Sequence, residues 1–186
     1  MARVRTLTLA ALVVAGLGLA GCSSSSSSPA TTSSPGSTAA PASPSTTLAS
    51  IPAADLSPAG TAGKAPTVVV PSGAAPTTLE YADLIKGTGP AAKAGDFVTV
   101  QYVLATYSSG KTIQSSWTSQ PFQFTIDATP EQVIPGWDQG VVGMQAGGRR
   151  ELIIPPNLGY GANSPGAGIS ANDTLVFVID LLKINN

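Results

Sequence analysis

At 186 residues with a net charge of −1, the chain has room for one generous domain and carries no basic footprint for nucleic acid. With no histidine and a single cysteine, it excludes Cys/His zinc sites, Ser-His-Asp and Cys-His catalysis, and any disulfide within the chain. Only 10% of residues are charged, against roughly 25% in an average soluble chain.

The sequence opens with a short basic start, Arg3 and Arg5, followed by an uncharged stretch from Thr6 to Cys22. Crossing a bilayer takes about 20 apolar residues, so this stretch reads as a signal peptide over residues 1–21. Leu19-Ala20-Gly21-Cys22 resembles the bacterial lipoprotein processing box. The resemblance implies that Cys22 is lipidated and becomes the first mature residue, attaching the chain to a lipid bilayer. The same residues also fit an ordinary secretory signal with an incidental cysteine, or an uncleaved anchor. The box spacing and the absence of any other cysteine favour lipidation.

Residues 22–76 are Ser, Thr, Pro, Ala and Gly for the most part, including six consecutive serines at 23–28. All ten aromatics and fifteen of the nineteen charges lie at or after Glu80. A segment so poor in large side chains cannot bury enough apolar surface to offset chain entropy, so it is expected to be a disordered tether. Its Ser/Thr/Pro content could accept sugars. The short apolar run Thr67–Pro71 fits a linker patch better than an edge strand.

From residue 77 onward the pattern predicts one folded domain, 77–186. Phe97–Tyr107, rich in β-branched and aromatic residues, reads as a strand, and Ser108–Lys111 as a turn. Phe122, Phe124 and Ile126 alternate with polar residues, the mark of a half-buried strand. Pro135–Met144 is the one helical stretch, opened by a proline suited to a first turn, with Trp137, Val141 and Met144 on one face. Gly147 and Gly148 are expected to end it. Arg149–Ile154 and Thr174–Ile184 read as two further strands. Several antiparallel strands and one short helix make an α+β domain.

Three blocks then carry a resemblance: Gln132–Met144, Gly147–Arg150, and Ile154–Gly161. Together with Thr174–Leu182 they resemble the FK506-binding-protein (FKBP) type of peptidyl-prolyl cis-trans isomerase, over about residues 78–186. The resemblance implies a strongly bent antiparallel sheet wrapped around the helix, with an apolar pocket between them. It places Trp137 at the pocket floor and Tyr102, Phe122, Val133, Ile134, Tyr160, Ile169 and Phe177 in the walls. It also implies that the Tyr160 hydroxyl and the Ile134 backbone N–H hydrogen-bond substrate carbonyls. Read without the resemblance, Trp137 and Phe177 fit plain core, and Tyr160 fits a turn between two glycines.

The chemistry implied is undemanding. Rotating an Xaa-Pro amide means crossing a resonance barrier of about 18–20 kcal/mol, with no bond broken. Nucleophile, metal and cofactor are all unnecessary. A twisted amide is less polar than a planar one, so an apolar pocket favours the transition state over the ground state.

Two positions depart from the family pattern. Where the family usually has Phe-Asp-Ser-Ser, this chain has Ile113-Gln114-Ser115-Ser116, so the aromatic wall becomes Ile113 and the carboxylate becomes Gln114. Trp117 could restore aromatic surface, or sit exposed in its loop. The loop Asn163–Asp173 lacks the family's paired prolines after Ile169. The expected function is a membrane-tethered isomerase acting on Xaa-Pro segments of exported polypeptides, in the cell envelope on the extracytoplasmic side. FK506-like macrolides are the expected ligands and a monomer the expected state. A non-catalytic or weakly catalytic peptide-binding module is the alternative, and a vestigial interaction scaffold the third.

Overall fold

The computed structural model describes residues 48–185. The signal segment, Cys22 and the first half of the expected tether lie outside them. Seven strands form one sheet: β1 (Ala49–Ser50), β2 (Glu80–Ile85), β3 (Phe97–Thr106), β4 (Thr112–Ser115), β5 (Phe122–Thr125), β6 (Arg149–Ile154) and β7 (Leu175–Ile184). One helix, α1 (Pro135–Val141), packs against the sheet. The α+β class and the FKBP-like arrangement of a sheet around one short helix are as expected.

The order across the sheet is β1-β2-β6-β7-β3-β4, with β5 also pairing β3. Every pair is antiparallel except β1 with β2, which makes the sheet mixed at that edge. On one side β3 pairs with β7 from Val98 to Thr106. Its other side is shared, with β5 along Phe97–Val100 and β4 along Val103–Ala105. Gln101 and Tyr102 therefore sit in a gap between two partner strands.

The helix is seven residues long and ends earlier than the glycine pair at 147 and 148. The chain leaves it at Val142, and Gly143 follows in the left-handed region, at φ 81°. A residue with a Cβ avoids that region, so Gly143 is the stop. Two other glycines bring the helix close to the sheet. A Cβ at Gly136 would lie 2.4 Å from Ile154 Cγ2, and one at Gly140 would lie 2.6 Å from Leu152 Cδ1. Spaced four apart, they share one helix face and let it rest directly on β6.

β6 has alternating duties because successive strand residues face opposite sides. Arg150, Leu152 and Ile154 face α1. The Arg150 guanidinium donates to the carbonyls of Gly140 and Val142, at 2.8 and 3.0 Å, closing the helix C-terminus. It also forks onto Asp83 and lies 4.4 Å from the centre of the Tyr81 ring. Arg149, Glu151 and Ile153 face the other side of the sheet.

That outer side is covered, which corrects the expected tether. Residues 48–76 form a strap packed on the sheet. Ile51 is buried with Ile153 and Val176, with Leu56, Val68, Val70 and Tyr107 around them. Arg149 forks onto Asp180 (2.6 and 2.7 Å) and also donates to the carbonyls of Ala59 and Lys64, each at 2.7 Å. Glu151 is 0% exposed and accepts from both the N–H and the hydroxyl of Ser57, each at 2.8 Å. Val69 N–H in turn donates to Ser57 Oγ at 2.9 Å. A segment of this composition cannot build its own core in isolation, but a few apolar side chains suffice when a finished sheet offers the other half.

Burial pushes the Glu151 carboxyl above the usual carboxylate range, with the Ser57 bonds offsetting part of the rise. The folded state therefore holds this proton more tightly than the unfolded chain, whose glutamates titrate near ~4.3. The stability it contributes is full below that value and is lost as pH rises through the raised one. Glu151→Gln, which keeps an acceptor for Ser57 N–H, is expected to gain on the parent chain as pH rises from 4 to 7. Urea unfolding at both pH values measures the gap; a constant gap would mean that Glu151 titrates normally.

Candidate functional site

The helix N-terminus, the middle of β3 and the start of β7 at Phe177 meet around Trp137. Its indole is 4% exposed. The rings of Phe177 (5.2 Å), Tyr102 (5.3 Å), Phe124 (5.4 Å) and Phe122 (5.9 Å) surround it, three of them nearly perpendicular to it. Edge-to-face packing suits the ring quadrupoles and holds the cluster in one arrangement. The Trp137 indole N–H has no hydrogen-bond partner among the described residues.

A cavity of about 230 Å³ opens above this floor. It is lined by Tyr102, Leu104, Gln114, Phe122, Gln132, Val133, Ile134, Trp137, Tyr160 and Phe177, with no Asp, Glu, Lys or Arg among them. That is smaller than the roughly 300–1,000 Å³ of drug-sized sites and suited to a single ring with its flanking peptide.

Two polar groups stand at its edge. Tyr160 is 37% exposed, so its hydroxyl is open to a ligand. Ile134 occupies the residue before α1 in an extended conformation, and its carbonyl accepts Trp137 N–H at 2.8 Å. Its own N–H enters no hydrogen bond among the described residues. Burial, helped by the neighbouring Tyr160, pushes the Tyr102 hydroxyl up, so it stays protonated across the physiological range. Such a site can desolvate an apolar ring and hold two carbonyl oxygens.

Residues 89–182 match the family model described as FKBP-type peptidyl-prolyl cis-trans isomerase. The chain belongs to the FKBP family. It is 47% identical over 121 residues to an FK506-binding protein of Streptomyces anulatus, covering 64% of this chain and 96% of that one. A probable FK506-binding protein of Corynebacterium glutamicum is 41% identical over 119 residues, covering 63% of this chain and 97% of that protein. Among solved structures, FkpA from Escherichia coli is 39% identical with a TM-score of 0.52, covering 59% of this chain and 49% of its own. A peptidyl-prolyl cis-trans isomerase from Pseudomonas syringae is 34% identical with a TM-score of 0.50, covering 57% of this chain and 74% of its own. The Streptomyces match is longer than the 77–186 stretch of the FKBP domain expected from the sequence, so it reaches into the strap.

Eight of the ten pocket residues expected of the FKBP domain line the cavity: Tyr102, Gln114, Phe122, Val133, Ile134, Trp137, Tyr160 and Phe177. Two do not. Ile169 is buried in the same core cluster as Leu104, Trp137 and Phe177. Ile113 is half-buried and faces the 163–173 loop; a Cβ at Gly168 would be 3.3 Å from its Cδ1. Gln114 pairs with Leu104 and lines the cavity, while Ile113 lies at the register irregularity beside that pair and packs against the same core cluster. The departure from the family pattern therefore reaches the cavity through Gln114, as an amide where a carboxylate is usual. Trp117 does not restore the wall, since it pairs with no other ring among the described residues.

Leu104, Gln132 and Phe124 were not anticipated at this site. Leu104 follows Tyr102 at the strand period of two, a signal that was readable. Gln132 carries no pattern of its own and is held by accepting Thr125 N–H at 2.9 Å.

Proposed function

We propose that this chain catalyses peptidyl-prolyl cis-trans isomerisation and does so outside the cytoplasmic membrane, anchored through a lipid on Cys22. The observation that carries the catalytic reading is an uncharged aromatic cavity with a free Tyr160 hydroxyl and an unspent Ile134 N–H at its edge. A prolyl ring seated on Trp137 leaves water, and the two donors hold the carbonyls on either side of the rotating bond. The twisted amide, having lost resonance, is less polar than the planar one and loses less on entering this site. Exported chains fold after translocation, and Xaa-Pro exchange takes about 10–100 s unaided, which gives such an enzyme its work. The processing-box residues at 19–22 support the lipid anchor.

NMR exchange spectroscopy on a short Xaa-Pro peptide tests the activity. Substoichiometric protein is expected to speed cis-trans exchange, and Trp137→Leu is expected to lower kcat/KM at least about tenfold and to weaken FK506 binding. No acceleration at high enzyme concentration would sink the catalytic reading. Labelled fatty acid should enter the parent chain and not Cys22→Ala. A second reading, a peptide-binding module with little turnover, is favoured by Gln114 at the rim and by Ile113 lying outside the cavity. Peptide binding without acceleration would establish it.

A further inference from the structure

Tyr102 sits where β3 has lost a partner. β5 stops at the pairing of Phe122 with Val100, and β4 begins at the pairing of Ser115 with Val103. A strand residue presents its N–H and C=O to the same side, so both groups of Tyr102 face this gap. Left unmet in a buried place, they would destabilise the strand there and free it to shift. Ser116 meets both. Its Oγ accepts Tyr102 N–H at 2.8 Å, and its own N–H donates to the Tyr102 carbonyl at 3.0 Å. Ser116 is 5% exposed, and its hydroxyl proton goes to Gln101 Oε1 on the outer side of β3. The oxygen is thus oriented, with its proton turned away and a lone pair directed at Tyr102.

We propose that Ser116 is a positioning residue for the prolyl site, acting through Tyr102. With its hydroxyl and its backbone N–H it does what a continuous β4–β5 strand would do, while residues 117–121 leave the sheet. That detour brings Phe122 back against Tyr102, with ring centres 6.2 Å apart, and both rings form the wall beside Trp137. Without the Ser116 oxygen the Tyr102 N–H loses its partner at the one point of β3 with no second strand, and only the Ser116 N–H bond to the Tyr102 carbonyl remains. The ring, held 5.3 Å from Trp137 and 6.0 Å from Phe177, moves with its backbone.

The test uses the full chain with two readouts, only one of which rests on the isomerase reading. In NMR, Ser116→Ala is expected to speed exchange of the Tyr102 amide about tenfold or more, relative to Leu104, and to shift the Tyr102 ring signals. Ser116→Thr, which keeps the oxygen, is expected to stay close to the parent. In kinetics, Ser116→Ala should lower kcat/KM about tenfold, and the same change in a Tyr102→Leu background should alter it less than about twofold. Unmoved Tyr102 signals in Ser116→Ala would overturn the proposal. So would a Ser116→Thr variant as impaired as Ser116→Ala, or a loss that persists undiminished in the Tyr102→Leu background. An inactive parent chain would sink the isomerase reading alone, because the NMR arm still decides what Ser116 does.

Discussion

Trp137→Ala is expected to cost about 3–5 kcal/mol of folding stability and to abolish ligand binding at the cavity. The indole is almost wholly buried and touches four other aromatic rings, so its removal opens a hole that none of them can fill without leaving its packing. Among the described residues the indole N–H has no partner, so the cost among protein groups is burial and packing. A small domain holds about 5–15 kcal/mol in all, so the variant should fold marginally. Urea denaturation measures the loss. A change below about 1 kcal/mol would show that Trp137 is a replaceable lining and not a structural floor. Trp137→Leu separates the two roles, since it keeps apolar volume and removes the flat surface on which a prolyl ring rests.

Asp180→Ala is expected to cost a comparable amount, about 3–5 kcal/mol, for an electrostatic reason. Arg149 is 1% exposed and lies between the sheet and the strap. Asp180 takes two of its N–H groups and balances its charge, and the carbonyls of Ala59 and Lys64 take two more N–H groups without balancing it. Removing the carboxylate leaves a buried guanidinium with no counter-charge. Asp180→Asn should fall between Ala and the parent, because it restores an acceptor and no charge. The double replacement Arg149→Met with Asp180→Leu should cost less than Asp180→Ala alone, as the pair is dear to break and cheap to omit. Denaturant midpoints for the four proteins settle the order. An Asp180→Ala loss within about 1 kcal/mol would mean that water reaches Arg149 and that the strap covers it loosely.

Much of the site was readable because it rests on type and spacing. Trp137 and Val141, four apart, mark the buried face of α1, and Met144, expected on that face, is buried beyond the helix end. Pro135, at the first helical position, places Ile134 as the residue before the helix. The strand period of two accounts for Tyr102, and Phe177 belongs to a long apolar strand. Residue types do not show that a register irregularity lies beside the Leu104–Gln114 pair, which leaves Gln114 lining the cavity and Ile113 packed against the core cluster next to it. Ser116 was invisible for a similar reason. A serine after a serine in a polar stretch has no signal until the gap between β4 and β5 shows which backbone groups it serves.

The strap marks the limit of composition as a guide. Residues 48–76 have few large side chains, and by themselves they cannot offset the entropy of ordering. Their order comes from a partner surface far along the chain: Ser57 meets Glu151, Ile51 meets Ile153, and two strap carbonyls meet Arg149.

The strands around one short helix, the aromatic identity of the pocket and the lack of histidine are all legible in the linear chain. These follow from local periodicity and residue type, which a linear chain displays. Where the folded body begins, which residues line the cavity, and why two consecutive arginines serve opposite faces of the sheet come from contacts between segments distant in the chain. Arg149 holds the strap and Arg150 closes the helix, because neighbours on a strand face opposite sides and what lies on each side is set by distant segments.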